Sequence, residues 1–336
     1  MKYIFFTLLF VVLSSLLLST FLLAFLFYPQ LYGQGTVEVK VERGEPLSAV
    51  VRRLKGHGVI SNEKLFSLWA RLWGLDKKIH WGLYRFERPL PPRRVLNQMM
   101  LGRGVFHRIT IPEGLTVKEI AELLEKGALA GKDRFLAEAA GLEFLSLVGL
   151  EGKGIEGYLF PNTYYFTPFV AEKDILVAMV EQFREIFDAQ MKEQSKEIGL
   201  SPHEVVTLAS LIEKETGIEA ERPLVSAVFH NRLRAKIPLQ SDPTVIYGLK
   251  SFSGSLTRKD LQSRSPYNTY RIRGLPPGPI CNPGLASLRA ALYPARVPYL
   301  YFVSKNDGSH LFSIRLGEHN QAVKIYQGGK PRHPRP

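Results

Sequence analysis

The stretch SPHEVVTLASLIEKETG, residues 201–217, predicts the helix around which the C-terminal half of the chain is organised. Ser201 and Glu204 have the spacing of a capping box, and Pro202 occupies the first helical position, where a missing N–H costs nothing. Gly217 is the expected left-handed terminator. Apolar residues recur at helical spacing and predict a buried face, formed by Val205, Leu208, Ala209, Leu211 and Ile212.

Glu213 and Glu215 lie in the last turn of this predicted helix, where the helix dipole favours cations rather than carboxylates. Helix stability therefore does not explain both carboxylates, and at least one of them is expected to have another role. A carboxyl held against apolar neighbours has a raised pKa, because desolvation disfavours its charged form, and it can then donate a proton. Residues two apart on a helix point about 200° apart, so only one of the two can face a given cleft. The helical wheel does not choose between them.

The N-terminus predicts a membrane anchor. The chain has 336 residues, enough for two or three domains, and 45% of them are hydrophobic. Residues 3–28 carry no charge and exceed the roughly 20 residues needed to span a bilayer. No clear signal-peptidase site follows, so we expect an uncleaved, single-pass anchor in the cytoplasmic (inner) membrane. Lys2 precedes the span, which favours an N-terminus in the cytoplasm and the remaining chain on the periplasmic or outer side.

The chain has a formal net charge of +13, which fits attraction to anionic lipid, to an acidic polymer or to nucleic acid. The expected anchor argues against nucleic acid, and we favour a basic surface next to membrane lipid. The single cysteine, Cys281, has no metal-ligand companion. Phosphate-loop, zinc-protease and nucleophile-elbow motifs are absent from the sequence. We therefore expect no metal and no other cofactor.

Four regions are predicted, and the overall class is α+β. Residues 1–35 form the cytoplasmic N-terminus, anchor and linker, and residues 327–336 form a basic disordered tail. In residues 36–131 a strand, turn and helix occur twice, at 36–54 and at 106–124, which indicates a degenerate repeat. Such units resemble LysM-like glycan-binding modules; the alternative is ordinary core elements of one small domain. The other elements predicted here are a helix at 62–75, a strand at 81–86 and a helix at 91–101.

Residues 132–326 are expected to form a mixed α+β catalytic domain. Prolines and polar side chains share its loops at 238–248, 265–270 and 274–284, which suits the walls of a cleft. The aromatic stretch at 156–166 could pack in a core or stack on sugar rings. Besides the 201–217 helix, the predicted elements are helices at 132–142, 170–193, 223–233 and 285–292, strands at 299–304 and 310–314 paired as a hairpin, and a last short helix opened by Glu318.

A carboxylic acid among polar loops suits general-acid cleavage of a sugar bond. A conventional hydrolase also needs a second carboxylate, for which Asp242 is the candidate. A lytic transglycosylase needs only one, because the sugar's own hydroxyl closes a ring after cleavage. A third alternative, from another class, is a membrane-anchored glycan-binding protein without catalysis.

Seven ordered motifs then narrow these alternatives. They are EGYLFPNTY at 156–164, LASLIEKETG at 208–217, VFHNRL at 228–233, LQSDPTVIYG at 239–248, YNTY at 267–270, GLPPGPI at 274–280 and PYLYFV at 298–303. Together with the anchor they resemble the endolytic murein transglycosylase family, also called YceG-like, over nearly the whole chain. The resemblance implies an enzyme that cuts the MurNAc-β-1,4-GlcNAc bond of nascent peptidoglycan strands, leaves a 1,6-anhydroMurNAc end and terminates strand elongation. Membrane-bound peptidoglycan synthases are the protein partners that this role implies.

The resemblance implies that Glu215, the second glutamate of EKET, is the catalytic acid. Glu213 would then be a structural partner of a basic side chain such as Arg222 or Arg232. Two departures from the family pattern are Asn162, where Asp is expected, and His230, where an aliphatic residue is usual. The expected substrate-binding residues are Thr216, Gln240, Ser241, Asp242, Asn268 and Tyr270.

Overall fold

The computed structural model describes residues 2–29, 34–42, 44–74, 80–102, 104–150, 154–168 and 170–328. Over these ranges the chain has mixed helices and short strands, and the strands pair as three two-stranded sheets. The predicted α+β class is confirmed. Internal contacts divide the chain into two units, Met1–Arg108 with Tyr165–Phe169 and Ile109–Tyr164 with Val170–Pro336.

The first unit is built on an antiparallel strand pair. Val39 lies opposite Tyr84 in this pair, and both are buried, as is Phe86 two residues further on. Helices pack on that apolar face, as the period-two pattern of the strands predicts. The elements are α1 (Lys2–Phe27), β1 (Gly35–Val41), α2 (Leu47–Gly56), α3 (Glu63–Leu72), β2 (Gly82–Arg88) and α4 (Pro92–Met100).

Helix α1 contains a segment, Leu9–Phe27, that is long and apolar enough to cross a membrane. Its last turn also belongs to the core of the first unit, where Leu26 is only 1% exposed. The guanidinium of Arg93, on α4, lies 5.0 Å from the centre of the Phe27 ring. The end of the expected anchor is therefore packed on the domain that follows it.

The chain passes from the first unit into the second within a pair of short strands, and a set of helices follows. Helix α5 packs against α6, and α6 packs against α7 and α8. The helix predicted at 170–193 is wrong, because it is two helices: Asp188 caps the second by accepting a hydrogen bond from the N–H of Met191. The elements are β3 (His107–Thr110), α5 (Val117–Lys126), α6 (Lys132–Ala140), α7 (Leu142–Leu147), β4 (Thr163–Phe166), α8 (Glu172–Ile186) and α9 (Ala189–Glu197).

Both copies of the predicted strand-turn-helix repeat form. Each turn contains a glycine with positive φ, Gly44 at 76° and Gly114 at 79°, a conformation that glycine adopts at no steric cost. The two helices, α2 and α5, belong to different compact units, whose limits fall within β3 and β4; the predicted domain bounds stay a prediction. A LysM-like function stays a prediction.

Helix α10 is the centre of the second unit. It contacts α9, α11, α12 and α13, and every residue from 205 to 212 is buried. Its capping box is present, as predicted: Ser201 Oγ accepts from the N–H of Glu204, whose carboxylate accepts from the N–H of Ser201. The remaining elements are α10 (Pro202–Glu215), α11 (Arg222–Arg234), α12 (Asp242–Gly248), α13 (Leu285–Leu292), β5 (Tyr301–Ser304), β6 (His310–Ser313) and α14 (Leu316–Gln327).

The predicted end of α10 is wrong in one respect. Gly217 does not have positive φ; the helix stops at Glu215 because Thr216 is extended, with φ −141°. The hydroxyl of Thr216 then accepts a hydrogen bond from the N–H of Ile218, 3.1 Å away, so a side chain makes the turn. The C-terminal hairpin is confirmed, with Asn306 and Gly308 both at positive φ in its loop.

Candidate active site

Glu213 lies on a flank of α10 that is closed off by other elements. Its side chain is 7% exposed and pairs with Arg222 of α11, whose Nη2 lies 3.1 Å from Glu213 Oε1. The N–H of Gly284 donates to the other carboxylate oxygen at 2.9 Å. Arg222 is in turn held by Ser287, whose Oγ accepts from Nε at 3.1 Å. The structural role expected for Glu213 is confirmed, with Arg222 as the partner.

Glu215 lies at the last position of α10 and is partly exposed. The hydroxyl of Ser241 donates to Glu215 Oε1 across 2.6 Å. The two residues are 26 positions apart in the chain, so the loop after α11 folds back to the end of α10. The structure thereby brings together the predicted acid and one of the predicted substrate-binding residues.

Hydrogen bonds to two threonines fix the backbone of Ser241. Its N–H donates to Thr269 Oγ1 at 2.9 Å, and its carbonyl oxygen accepts from Thr244 Oγ1 at 2.6 Å. Gln240 has φ +55°, an uncommon conformation for a residue other than glycine, and its N–H donates to the carbonyl of Thr269. Sequence analysis missed that helix α12 starts at Asp242, directly after this turn. The backbone is therefore fixed where the hydroxyl meets the acid.

Asp242 and Tyr270 form a second polar pair next to Ser241. The phenol of Tyr270 donates to Asp242 Oδ1 across 2.6 Å, and both residues are partly exposed. Asn268 differs, because it is fully buried. Its amide donates to the carbonyls of Leu261 and Ser263 and accepts from the N–H of Tyr270. The side chain of Asn268 thus shapes the loop that presents Tyr270, and its contact with sugar stays a prediction.

Thr216, also a predicted substrate contact, is only 4% exposed. Its hydroxyl donates to Glu221 Oε2 at 3.3 Å, and the same oxygen lies 2.7 Å from His310 Nδ1. Burial alone would raise the pKa of Glu221, but hydrogen bonds and charge from His310 outweigh it and lower that pKa. These contacts tie the residue after Glu215 to the C-terminal hairpin.

Glu156 is a half-buried residue that sequence reasoning did not single out. It accepts from the N–H of Val117 at 3.1 Å, from Asn282 Nδ2 at 3.1 Å and from the phenol of Tyr247 at 3.3 Å. Burial raises its pKa to about 7, and these hydrogen bonds oppose the rise. Its place at the head of an aromatic-rich motif was the signal that could have found it. The residue joins α5, α12 and the loop before α13.

Both departures from the family pattern are accommodated locally. Asn162 is exposed, and its Oδ1 accepts from the N–H of Thr163. His230 donates from Nε2 to the carbonyl of Ala291 at 2.8 Å, and burial lowers its pKa, so it is held neutral. Within the described ranges, no group of three or more His, Cys, Asp and Glu side chains could hold a metal ion.

Glu215, at the end of a buried helix, accepts a hydrogen bond from the hydroxyl of Ser241 on a neighbouring loop. This arrangement defines a candidate acid–base site in an α+β protein. The model of the YceG-like family matches residues 39–325. The chain belongs to the YceG-like family, as its motifs predict.

Relatives and a solved structure agree with this membership. The endolytic murein transglycosylase of Bacillus subtilis (strain 168) is 34% identical over 311 residues, which cover 88% of this chain and 86% of that protein. That of Streptococcus pneumoniae (strain D39) is 26% identical over 88% of this chain, which spans 59% of the pneumococcal protein. The crystal structure of a yceG-like protein from Listeria monocytogenes matches with a TM-score of 0.60 and 32% identity, over 86% of this chain and 100% of that one.

Proposed function

We propose that this protein is a membrane-anchored lytic transglycosylase that cleaves peptidoglycan glycan strands internally and uses Glu215 as its acid and base. The observation that carries the proposal is the 2.6 Å contact between Ser241 and Glu215, in the last turn of a helix where the neighbouring Glu213 pairs with Arg222. The names of the relatives support the same activity. Ser241 orients the Glu215 carboxyl towards the substrate.

The reaction needs a single carboxyl. Protonated Glu215 gives its proton to the oxygen that links MurNAc to GlcNAc, and the bond from that oxygen to C1 of MurNAc breaks. The C6 hydroxyl of the same MurNAc then attacks C1, and its proton passes to the Glu215 carboxylate. The products are a free GlcNAc hydroxyl and a 1,6-anhydroMurNAc end, with no water consumed and Glu215 protonated again.

Asp242 carries the main alternative. A hydrolase would use it as a base for water, and the products would then have reducing ends. Its carboxylate accepts a hydrogen bond from Tyr270, and we assign this pair to holding the sugar beside Glu215, together with the exposed Gln240.

We further propose that α1 spans the cytoplasmic membrane with its N-terminus inside. Since the last turn of α1 packs into the first unit, that unit is held against the outer face of the membrane. Glycan strands are accessible there while they are being made. The protein would then act on nascent strands beside membrane-bound synthases and terminate their elongation, so its loss should lengthen glycan chains.

The test is a time course of strand length on intact peptidoglycan with the full chain in detergent. Internal cleavage predicts that long strands shorten before small fragments accumulate, and that each cut leaves an anhydro end. Small fragments released from the start, with long strands persisting, would show attack at strand ends instead. A well-folded protein that binds strands and leaves their length unchanged would show a binding protein.

A further inference from the structure

Arg232, near the end of α11, is a cation that the proposed reaction does not use. It is only 8% exposed, and burying a charge is costly unless it is compensated. Sequence analysis offered it as a partner of Glu213, but Arg222 has that position. The contacts of Arg232 instead reach the segment that carries Ser241, which bonds to Glu215.

The guanidinium binds the backbone that carries Ser241. Nη1 donates to the carbonyls of Pro238 and Leu239 at 3.1 and 2.9 Å, and to Gln240 Oε1 at 3.2 Å. Nε donates in another direction, to the carbonyl of Leu300 at 2.7 Å. One planar group thus ties residues 238–241, here called the strap, to the start of the C-terminal hairpin. An ammonium group cannot reproduce this fork of donors.

The charge of Arg232 also acts on the candidate acid. Burial lowers the pKa of Arg232, and Tyr301, Tyr270 and Glu215 counter this by favouring its charged form. Its guanidinium lies 5.2 Å from the centre of the Tyr301 ring. The pKa of His319 is lowered mainly by burial and, to a smaller extent, by the charge of Arg232. Other charged and titratable groups at this end of α10 are Glu213 and Lys214 on α10 itself, Glu113 before α5, Glu219, Glu221 and Arg222 around the start of α11, Asp242 of α12, and His310 of the hairpin.

We propose that Arg232 is a positioning residue for Glu215, which holds the strap so that Ser241 reaches the carboxyl and favours the ionised form of that carboxyl by its charge. The proposal rests on the proposed function, since the ionised form is what accepts the C6 proton in the second half of the reaction. Ser241 is the link between the two residues, at 2.6 Å from Glu215.

Two substitutions separate the geometric effect from the charge effect. R232M removes both the donors and the charge, and R232K keeps the charge without the fork. Each variant of the full chain is assayed for kcat/KM across pH on glycan strands. Arg234 is the matched control, because it lies on the same helix, is exposed and bonds only to Asn231 in the described structure.

We expect both variants to lose about 10²-fold in rate, the usual consequence of a misplaced catalytic group. A general acid must be protonated, so activity falls as pH rises through its titration. A nearby positive charge moves this alkaline limb to lower pH. R232M should therefore move the limb to higher pH, R232K should leave it in place, and R234M should match the wild type.

A double-mutant cycle with S241A decides whether Arg232 acts through the strap. In the S241A background R232K should cost only a few-fold more, because neighbouring residues that act together are not additive. Fully additive losses, or an R232M enzyme with wild-type rate and pH limb, would overturn the proposal. Equal losses in both variants with unmoved limbs would show a purely structural role. If R232M does not fold, the R232K cycle decides alone.

An active Glu215→Gln enzyme would instead refute the proposed function, whatever the Arg232 variants do.

Discussion

The two flanks of the last turn of α10 carry the same side chain in opposite settings. On one flank Glu213 is 7% exposed, paired with Arg222 and capped by the N–H of Gly284. On the other flank Glu215 is partly exposed and meets the hydroxyl of Ser241. Helical spacing separates the two carboxyls, and the neighbouring elements then decide what each can do. A carboxylate whose two oxygens are bound by Arg222 and a backbone N–H stabilises the fold, and a carboxyl that accepts from a hydroxyl can exchange a proton.

The largest effect should follow from Glu215→Gln. Glutamine keeps the volume and can accept from Ser241, but it cannot deliver a proton, so the cleavage rate should fall by at least about 10²–10⁴. Rate on glycan strands is the measurement, and Glu213→Gln is the matched control on the other flank. A folded but inactive Glu213→Gln protein, with Glu215→Gln active, would exchange the two assignments.

Stability should respond in the reverse order. Glu213→Gln removes the carboxylate charge closest to buried Arg222 and leaves it with the more distant Glu113, at 3.8 Å; breaking a buried pair costs about 3–5 kcal/mol. Glu215→Gln should change the free energy of unfolding by less than about 1 kcal/mol, since a neutral hydrogen bond is kept. Denaturant unfolding of both variants measures this. Equal losses would show that both flanks stabilise the fold alike.

Glu156 extends the comparison to a half-buried residue whose carboxyl accepts from the uncharged groups of Val117, Tyr247 and Asn282. Its pKa is raised from 4.5 to about 7, so the folded state binds its proton more tightly than the unfolded state. The stability from this group is complete below about pH 4.5 and is lost as pH rises through 7, by roughly 3 kcal/mol in all.

Unfolding free energies from pH 4.5 to 8 check this prediction, with Glu156→Gln as the matched variant. The substitution should flatten the fall that the wild type shows. Parallel profiles for the two proteins would mean that the Glu156 carboxyl does not titrate in this range.

The smallest effect is expected at His230, which shares α11 with Arg222 and Arg232. Its Nε2 donates to the carbonyl of Ala291, and so this nitrogen binds neither Glu213 nor Glu215. His230→Leu restores an aliphatic residue and leaves that carbonyl without its donor, so the loss of stability should be about 1–2 kcal/mol. Cleavage by the folded variant should be unchanged; a slower rate would place His230 in the site.

Local signals predicted much of the fold. The capping box at Ser201, the helix at 285–292 and the hairpin turn at Asn306 depend on residues close together in sequence, and all three are present. The end of α10 was missed because Thr216 used its own hydroxyl, and α12 because Asp242-Pro243 was read as a turn. Both outcomes depend on competition among short polar contacts that sequence spacing does not rank.

The candidate site was predictable only in part. A helical wheel left Glu213 and Glu215 equivalent, and the family resemblance chose between them. Their separation rests on Arg222 and on the N–H of Gly284, which lies 71 positions from Glu213. The role of Arg232 gave little signal, because three of its hydrogen bonds go to backbone carbonyls that any sequence would provide. Long-range contacts of this kind come from the fold as a whole.

The most direct test of a single-glutamate transglycosylase is cleavage in water enriched in oxygen-18, followed by mass analysis of the new strand ends. If the C6 hydroxyl of MurNAc closes the ring, the ends are anhydro sugars that have gained neither a water molecule nor the heavy isotope. If water attacks instead, with Asp242 as its base, each new reducing end carries one oxygen-18 atom. We predict unlabelled anhydro ends, and labelled reducing ends would contradict the account.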